Sequence, residues 1–448
     1  MTSDIRRRLG FAAAVVFAVA ACGGSAATSA PATPAPAATA AASTAPEASG
    51  STGCTEPAPA TIKLGISGPF TGANALTGEE IKNGISMAFD AVGWKIGPYT
   101  VEPVYIDDQS DPAKGAAAYE QAASSDKIVA GLLGWHSSVA VAQMEVTAKY
   151  QIPHFFALGA ANTIDEKFHG DPAKYGYWTS KGWPTPEKLT VGYVQSSTDA
   201  IAAGSYTPAE KKVALFGEDT DWGRSLATGL KTQLEATGWT VLYEDYFAKD
   251  QTDFSALVSR YKSDNVPLIA GTTTFANSLS AFLKAISDSG VKSLVVADGL
   301  GWIGNWYDLS GSASDYVVDQ IPQFASEAAK KYAADYEAKY GSKPSPSSAG
   351  LSFDYANFFM KIAETALADS CEISSASLYK VAQEKLWTGQ LTYTDGIIMS
   401  NYDYSEETIP DPIVGKGHFI FPVLQYMSGE STVVWPVEVA NGTLQSKP

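Results

Sequence analysis

From Thr61 onward, short apolar runs alternate with amphipathic stretches whose apolar residues recur at helical spacing. The first strand candidate, TIKLGIS, precedes a helix that carries Ile81, Ile85 and Phe89 on one face. Most of the later strand candidates are separated by helical segments of ten or more residues. These candidates are VEPVYID, KIVAGLLG, PHFFALG, KKVALFGE, TVLYEDYF, PLIAGTTT and SLVVADG. The alternation predicts an α/β protein with parallel sheets that helices cover on both faces.

After about Gln320 the pattern changes to consecutive helices. The predicted helices are ASEAAKKYAADYEAKYG, FDYANFFMKIAETALA and SASLYKVAQEKLW. The chain then returns to strand patterns in HFIFPVLQYMSG and STVVWPV, which a Gly and Ser turn joins. This last pair predicts a terminal β-hairpin.

The N-terminal segment has the order of a secretory signal. Arg6, Arg7 and Arg8 precede the apolar run LGFAAAVVFAVAA, and Cys22 follows it. A transmembrane helix needs about 20 apolar residues, so this run is too short to be one. We therefore predict that residues 1–21 are a signal peptide.

The residues before Cys22, Val-Ala-Ala, resemble the bacterial lipobox, and the resemblance implies that Cys22 carries lipid and begins the mature protein. Residues 22–60 are rich in Gly, Ala, Ser, Thr and Pro, and Glu47 and Glu56 are their only charged residues. Such a tract buries too little surface to fold. We predict a disordered, lipid-anchored linker with a reach of roughly 30 to 40 Å.

Composition limits the classes of partner. About 390 residues follow the linker, more than one hydrophobic core usually organises, so we expect two lobes. The net charge is −17, from 48 acidic and 31 basic residues. Binding to nucleic acid or to an anionic membrane surface needs clustered Lys and Arg, and this balance argues against both.

Cofactor and catalytic motifs are missing from the sequence. There is no Walker loop, GxGxxG after a strand, HExxH, GxSxG or paired CxxC. The histidines have no spacing typical of a metal site; they are His136, His154, His169 and His418. We expect no cofactor, no metal and no enzymatic activity. A secreted hydrolase would need Ser137 and His136 to act together, but adjacent side chains rarely face each other and no third orienting group is evident.

Two cysteines remain besides Cys22. Cys54 and Cys371 form an even pair in a chain predicted to leave the cytosol, where disulfides persist. The sequence leaves open whether they form a disulfide or are two isolated thiols.

A family resemblance extends over essentially everything from Thr61 onward. It is carried by GISGPFTGANALTGEEIKNGISMAFDAV, VYIDDQSDPAKGAAAYEQA, GLLGWHSSVAVA, IPHFFALGAAN, VALFGEDTDWGRSLATGLK, DFSALVSRYKSDNVPLIAGTTT, FLKAISDSG and the ending FPVLQYMSG…TVVWP. In order and spacing these segments are similar to the periplasmic branched-chain amino-acid-binding protein family. Together they are specific, whereas each alone would be weak.

The resemblance implies a type I periplasmic binding protein fold, in which two doubly wound parallel-sheet lobes are joined by three hinge crossovers. By analogy the crossovers fall near residues 180, 320 and 398. Lobe 1 would then contain residues 61–180 with 320–397, and lobe 2 residues 181–319 with 398–448. Ligand would be trapped between the lobes by hinge bending.

The first lobe offers ligand-binding candidates at the carboxyl ends of its strands, where ligands of open parallel sheets bind. Ser137 and Ser138 follow KIVAGLLG and open a helix, so hydroxyl and backbone N–H groups could meet a carboxylate. The resemblance places the family's carboxylate-binding serine at Ser137. It also places backbone groups for the same carboxylate at Ala160, Ala161 and Asn162, although the family's hydroxyl residue is not clearly matched there.

In the second lobe, Trp222 and Phe275 stand where the resemblance places tyrosines that flank the ligand. The loss of both hydroxyls suggests a more apolar cleft. Asp298, at the end of SLVVADG, matches the acidic residue that holds the ligand ammonium. Trp302 and Trp306 either border this face or are packing residues.

Three further first-lobe residues complete the predicted site. Leu76 lies on a loop that contributes side-chain contacts in the family. Trp135 and His136 immediately precede the serine pair, where the family more often has small or aliphatic residues, so they narrow the site or make it aromatic.

The function that follows is an exported, lipid-anchored solute-binding protein of an ABC importer, at the outer face of the cytoplasmic membrane. It would capture an amino acid, branched-chain or related, including aromatic ones. Its partners would be the solute, the ABC permease with its ATPase, and the membrane through the lipid; we expect a monomer that binds no nucleic acid. Two alternatives stay open: a ligand sensor for a membrane receptor, and a binder of an amide or an aromatic carboxylate.

Overall fold

The computed structural model describes residues 58–448. The predicted signal peptide, the predicted lipid attachment site Cys22, nearly all of the predicted linker and Cys54 lie outside the described residues. Within residues 58–448, no helix combines the length and the apolar character needed to cross a membrane.

The first sheet has five strands in the order β2-β3-β1-β4-β5. They are β1 (Ala60–Gly68), β2 (Lys95–Ile96), β3 (Tyr99–Asp107), β4 (Ala130–Leu133) and β5 (His154–Phe155). β1 pairs in parallel with both β3 and β4, and β4 pairs in parallel with β5, whereas the short β2 is antiparallel to β3.

The second sheet has seven strands in the order β12-β11-β10-β9-β8-β6-β7. They are β6 (Lys212–Glu218), β7 (Thr240–Phe247), β8 (Leu268–Thr272), β9 (Leu294–Asp298), β10 (Val318–Gln320), β11 (Val423–Met427) and β12 (Glu430–Trp435). β6 to β10 run parallel, and the antiparallel hairpin of β11 and β12 completes one edge.

Helices flank both sheets. They are α1 (Ala75–Ala91), α2 (Pro112–Gln121), α3 (Ser137–Tyr150), α4 (Asn162–Gly170), α5 (Pro172–Tyr175), α6 (Pro186–Ala203), α7 (Asp221–Ala236), α8 (Ser255–Ser263), α9 (Ala276–Ser289), α10 (Trp306–Ser310), α11 (Glu327–Tyr340), α12 (Ser352–Ser370) and α13 (Ser375–Val381). Short 3-10 or π-helical turns occur at Ala122–Asp126, Leu300–Trp302, Gly311–Ser314, Pro346–Leu351 and Ala382–Leu386.

The chain passes between the two sheets three times. It leaves the first sheet after β5 and builds β6 to β10 of the second. It then returns, because α12 packs against α1, β2 and β4 of the first sheet, and finally adds β11 and β12 to the second sheet. Two sheets with flanking helices form the two lobes of the type I periplasmic binding protein fold, as predicted. The residue bounds proposed for each lobe stay a prediction.

Most of the predicted strands are present in the structure. They could be predicted because strands that are buried on both faces have apolar sequences. β8 and β9 contain only buried residues, which is why they read as continuous apolar runs instead of alternating patterns. PHFFALG forms only the two-residue β5, since Phe156 adopts a left-handed backbone conformation (φ 55°) that ends the strand. β2 and β10 have two and three residues and are too short to show a pattern.

A buried cluster of ion pairs joins two of the passages of the chain between the sheets. The ammonium of Lys181 is fully buried and forms ion pairs with Asp165 and, at 2.5 Å, with Asp411. Lys188 approaches the other oxygen of Asp411 at 2.9 Å. The backbone N–H of Lys181 also donates to the carbonyl of Pro410 at 2.7 Å, so the segments around residues 181 and 410 are held side by side.

Candidate functional site

A small cavity lies between the two lobes, at the carboxyl ends of strands from both sheets. Its volume is about 20 Å³, enough for about one water molecule. The residues that line it are Trp135, Ser137, Leu158, Ala160, Trp183, Trp222, Thr274 and Trp302. Convergence of strand ends from two parallel sheets on one cavity is the usual setting of a ligand site in this class of fold.

Ser137, the first residue of α3, organises the first-lobe wall. Its side-chain oxygen accepts hydrogen bonds from the backbone N–H groups of Ala160, at 3.0 Å, and Ala161, at 3.1 Å. This contact requires Gly159, because a Cβ there would lie only 3.0 Å from the Cα of Ser137. The hydroxyl proton of Ser137 remains able to donate to a ligand.

The walls of the cavity are dominated by four indole rings. Trp302 is at their centre: its ring centroid lies 5.1 Å from that of Trp135, 6.2 Å from that of Trp222 and 6.4 Å from that of Trp183. Trp135 and Trp302 meet edge to face, an arrangement that aromatic rings favour. The result is a narrow cavity with largely aromatic walls.

The indole N–H groups divide into two kinds. Trp222 donates to the hydroxyl of Thr272 at 3.1 Å. The indole nitrogens of Trp135, Trp183 and Trp302 are buried and have no hydrogen-bond partner among residues 58–448. Buried N–H donors normally bond to acceptors, so we expect acceptor atoms of a ligand beside these three indoles.

Asp298 lies behind the cavity wall instead of in it. Its buried carboxyl accepts hydrogen bonds from the hydroxyl of Tyr193, at 2.7 Å, and from Thr272, at 3.2 Å. Burial, followed by the neighbouring carboxyl of Asp319, raises the pKa of Asp298 well above its ordinary value. Thr272 and the indole of Trp222 therefore stand between this carboxyl and the cavity.

Glu218 occupies an equivalent position behind Thr274. One of its oxygens accepts hydrogen bonds from the backbone N–H and the hydroxyl of Thr274, both at 2.7 Å, and from Thr273 at 3.2 Å. Burial raises the pKa of Glu218, while these bonds lower it. The carboxyl thus fixes the loop that brings Thr274 to the cavity.

Direct contacts between the lobes surround the cavity. Asn74 donates its side-chain amide to the backbone carbonyl of Thr274 at 2.8 Å and lies 3.2 Å from Nε2 of His136. The ring of His136 stacks on that of Phe275 with centroids 5.3 Å apart. Burial, with a smaller effect of Lys249, lowers the pKa of His136 to about 3. The ring is therefore neutral near pH 7 and its Nε2 can accept from Asn74.

Further polar contacts join the two lobes on either side of the cavity. The hydroxyl of Ser138 donates to Asp221 at 2.5 Å, and the ammonium of Lys249 donates to the carbonyl of Ser110 at 2.7 Å. The buried carboxyl group of Glu80, on α1, accepts from the backbone N–H of Gly304 at 2.7 Å. Each of these bonds joins an element of the first lobe to one of the second.

The structure brings only part of the predicted site to the cavity. Ser137, Ala160, Trp222 and Trp135 line it, and Ala161 is held against it through Ser137. Ser138, His136 and Phe275 instead form contacts between the lobes.

Three predicted residues lie away from the cavity. Asn162 donates its side chain to Glu187 at 2.6 Å. Leu76 is 43% exposed, and Asp298 is in the layer behind the wall. Cys371, which ends α12, is disulfide-bonded; its pairing with Cys54 stays a prediction.

The sequence interpretation missed several lining or closing residues. Leu158 and Thr274 lie at the carboxyl ends of the predicted strands PHFFALG and PLIAGTTT and could have been found from that position. Trp183 lies between the sheets, in a segment with no strand pattern, and Asn74 has no distinguishing neighbour in the sequence. In the part of the chain that the structure describes, no cluster of three or more His, Cys, Asp or Glu is arranged to hold a metal ion.

Comparison with protein families and curated sequences gives one consistent match. The profile of a family described as periplasmic binding protein matches residues 61–385. Leu/Ile/Val-binding protein homolog 8 of Brucella abortus is 26% identical over 302 residues, which cover 64% of this chain and 72% of that protein. Homolog 7 of Brucella suis is 25% identical over 309 residues, which cover 64% and 73%.

Solved structures share the fold at low sequence identity. A protein of Silicibacter pomeroyi assigned to branched-chain amino acid ABC transport has a TM-score of 0.71 and 17% identity, covering 87% of this chain and 99% of that one. A Streptococcus pneumoniae transporter substrate-binding protein in complex with isoleucine has a TM-score of 0.64 and 17% identity, covering 84% and 100%. A Rhodopseudomonas palustris solute-binding protein in complex with benzoate has a TM-score of 0.66 and 16% identity, covering 84% and 95%.

Proposed function

The chain belongs to the periplasmic binding protein family, and from that premise we propose that it captures a small organic solute between its lobes for an ABC importer. The observation that carries the proposal is the cavity around Ser137, which residues of both lobes enclose at the ends of their strands. The permease and its ATPase would be separate proteins.

Capture would proceed by hinge closure. The cavity is smaller than an amino acid, so the lobes must separate to admit solute and the indoles must shift to accommodate it. The contacts of Asn74, Ser138 and Lys249 between the lobes would re-form as the lobes close. Solute would thus favour the closed form by contacting both lobes at once.

The proposed binding residues follow from the geometry. Ser137 would donate its hydroxyl proton to an acceptor atom of the solute, beside the N-terminus of α3. Trp135 and Trp222 would form apolar walls from opposite lobes. His136 and Phe275 would act in closure through their stacked rings.

The class of solute has two candidates. The sequence resemblance favours an amino acid, and the names of the Brucella relatives refer to Leu, Ile and Val. An aromatic carboxylate or amide is the second candidate, because indole rings dominate the cavity and one neighbour of similar fold is solved with benzoate.

The proposed location is the outer face of the cytoplasmic membrane, with lipid on Cys22. The test is fractionation of cells that express the whole chain. We expect the protein in the membrane fraction, and Cys22→Ala protein, if exported, in the soluble fraction. Equal distribution of the two proteins would contradict the anchor.

The test of solute capture is a thermal-shift panel of amino acids, amides and aromatic carboxylates, followed by small-angle X-ray scattering of the hits. Solute at a hundredfold over its Kd should stabilise the fold by about 2.7 kcal/mol. It should also reduce the radius of gyration as the lobes close. A panel without stabilisation or compaction would contradict solute capture, and an importer role further requires that deletion of the gene abolishes uptake of the hit.

A further inference from the structure

The inter-lobe cavity has no charged side chain in its walls. Six of its eight lining residues are apolar or carry an indole, and the other two, Ser137 and Thr274, carry hydroxyls. The six are Trp135, Leu158, Ala160, Trp183, Trp222 and Trp302. A ligand charge buried there without a partner would weaken binding through its desolvation. We therefore expect the affinity for a solute to depend strongly on the charge of that solute.

The acidic groups nearest the wall are already engaged. Glu218 accepts three hydrogen bonds from Thr273 and Thr274, and Asp298 accepts from Tyr193 and Thr272. Neither carboxyl is among the lining groups. An ammonium group in the cavity would lack the partner that the sequence resemblance predicted for it.

Hydrogen-bond donors, by contrast, are in excess. The indole N–H groups of Trp135, Trp183 and Trp302 have no partner among residues 58–448, and these side chains are 8%, 5% and 6% exposed. Ser137 keeps a hydroxyl proton, because its oxygen accepts the N–H groups of Ala160 and Ala161. These four donors belong to residues that line one small cavity, and they match a solute that supplies acceptor oxygens.

The geometry points to a solute with an apolar body, a carboxylate or carbonyl group and no ammonium group, bound through the indole N–H groups of Trp135, Trp183 and Trp302. This inference rests on the proposed function and narrows it. N–H donors commonly hold a carboxylate without a counter-charge, particularly near a helix N-terminus such as that of α3.

The positions of the three tryptophans in the chain connect solute binding to closure of the lobes. Trp135 follows β4 of the first sheet, Trp302 follows β9 of the second, and Trp183 lies in the segment that joins the sheets. The ring centroids of Trp135 and Trp183 lie 5.1 Å and 6.4 Å from that of Trp302. A solute that accepts from all three therefore connects both lobes and the first passage between them.

The test uses pairs of compounds that differ only in the α-ammonium group. We compare 4-methylpentanoate with leucine, and 3-phenylpropanoate with phenylalanine, by isothermal titration calorimetry on the whole protein. 3-Phenylpropanamide separates a carboxylate from an uncharged carbonyl. We expect at least one ammonium-free compound to bind at least about tenfold more tightly than its amino acid.

The donors are tested by replacing indole with a ring that lacks N–H. Trp135→Phe, Trp183→Phe and Trp302→Phe should each weaken the best compound by about tenfold, the effect of losing one donor to a charged or carbonyl acceptor. Trp306→Phe, in the same segment as Trp302 but outside the cavity wall, is the matched control and should leave the Kd unchanged.

A second readout does not depend on the variants folding. In protein labelled with 15N-tryptophan, the indole N–H resonances of Trp135, Trp183 and Trp302 should shift downfield when 3-phenylpropanoate or 4-methylpentanoate binds, while that of Trp306 stays in place. Binding without movement of these three resonances overturns the inference.

The outcomes separate the inference from the proposed function. Tighter binding of leucine or phenylalanine than of its ammonium-free partner, lost in Asp298→Asn, overturns the inference and leaves solute capture intact. Absence of binding by both members of every pair, with no compaction in scattering, counts against solute capture and the inference together.

Discussion

Ser137 connects two loops that follow different strands of the first sheet, and its role can be measured without solute. Its oxygen is the acceptor for the backbone N–H groups of Ala160 and Ala161. Ser137→Ala leaves two buried donors unpaired, so we expect the free energy of unfolding to fall by about 1–3 kcal/mol. Urea denaturation measures this difference.

The control for Ser137 is Ser86→Ala. The hydroxyl of Ser86 donates to the carbonyl of Lys82, one turn earlier in α1, in an exposed hydrogen bond of 2.8 Å. Its loss should change stability by less than about 0.5 kcal/mol. Equal effects of the two variants would show that Ser137 does not hold the loops together.

Glu80 makes stability depend on pH. Burial raises its pKa from 4.5 to about 8, although the N–H groups of Gly304 and Ser345 lower it. Between these two values the folded protein keeps a proton that the unfolded chain has lost. Stability is therefore highest below pH 4.5 as far as this group is concerned, and it falls as pH rises towards 8.

We predict that the free energy of unfolding decreases from about pH 7 to pH 8 and that Glu80→Gln makes this decrease shallower. Asp108 and Asp354, with pKa values raised by burial to about 7 and about 6, contribute in the same direction and leave a residual slope. At lower pH the buried His136 and His154 act in the opposite direction, because burial lowers their pKa values from 6.5 to about 3. Glu166→Gln, a change at an exposed side chain of α4, is the control and should keep the slope of the parent. An unchanged slope in Glu80→Gln would contradict the assignment.

At the scale of elements, the passages between the lobes are held by the buried cluster of Lys181, Asp165 and Asp411. Burial opposes the charge of Lys181, but the two carboxylates outweigh it and raise its pKa. The two ammonium groups of Lys181 and Lys188 outweigh burial at Asp411 and lower its pKa. Asp165 is the weaker partner, with a pKa raised to about 6 mainly by burial.

Removal of the Lys181 ammonium, which both carboxylates share, should destabilise the fold strongly. Lys181→Met leaves carboxylates buried without their partner, and we expect a loss of about 3–5 kcal/mol in the free energy of unfolding. Addition of Asp165→Asn and Asp411→Asn should recover part of that loss. Lys331→Met, which breaks an exposed pair with Asp335, should cost less than about 1 kcal/mol. No recovery in the triple variant would show that Lys181 acts through packing and not charge.

The elements were more predictable than the site. Strands such as β6 and β9 have apolar interiors bounded by polar residues, so the sequence predicts them almost to the residue. The site depends on contacts between distant segments. Nothing local distinguishes Trp183 as a wall residue, and the engagement of Asp298 with Tyr193 depends on a helix 105 residues earlier. Position after a strand located Ser137 and Trp222 but could not show which side chains face the cavity.

At the scale of the whole molecule, closure depends on contacts between the lobes, and the amide of Asn74 makes one that is buried beside the cavity. Asn74→Ala removes its bond to the carbonyl of Thr274. We expect the protein to shift towards open forms, with a larger radius of gyration in scattering and weaker solute binding, because part of the binding energy must then close the lobes. Asn357→Ala, which loses a bond within α12, is the control and should leave both quantities unchanged.

The three passages between the sheets also determine which fragments limited proteolysis would produce and whether they stay together. Strand β10 and strand β11 are neighbours in the second sheet, yet the chain between them returns to the first sheet to form α12. A single cut between β10 and α11 would therefore produce two fragments that each contribute to both lobes. We expect such nicked protein to elute as one intact particle, still able to bind solute, and to separate only in denaturant.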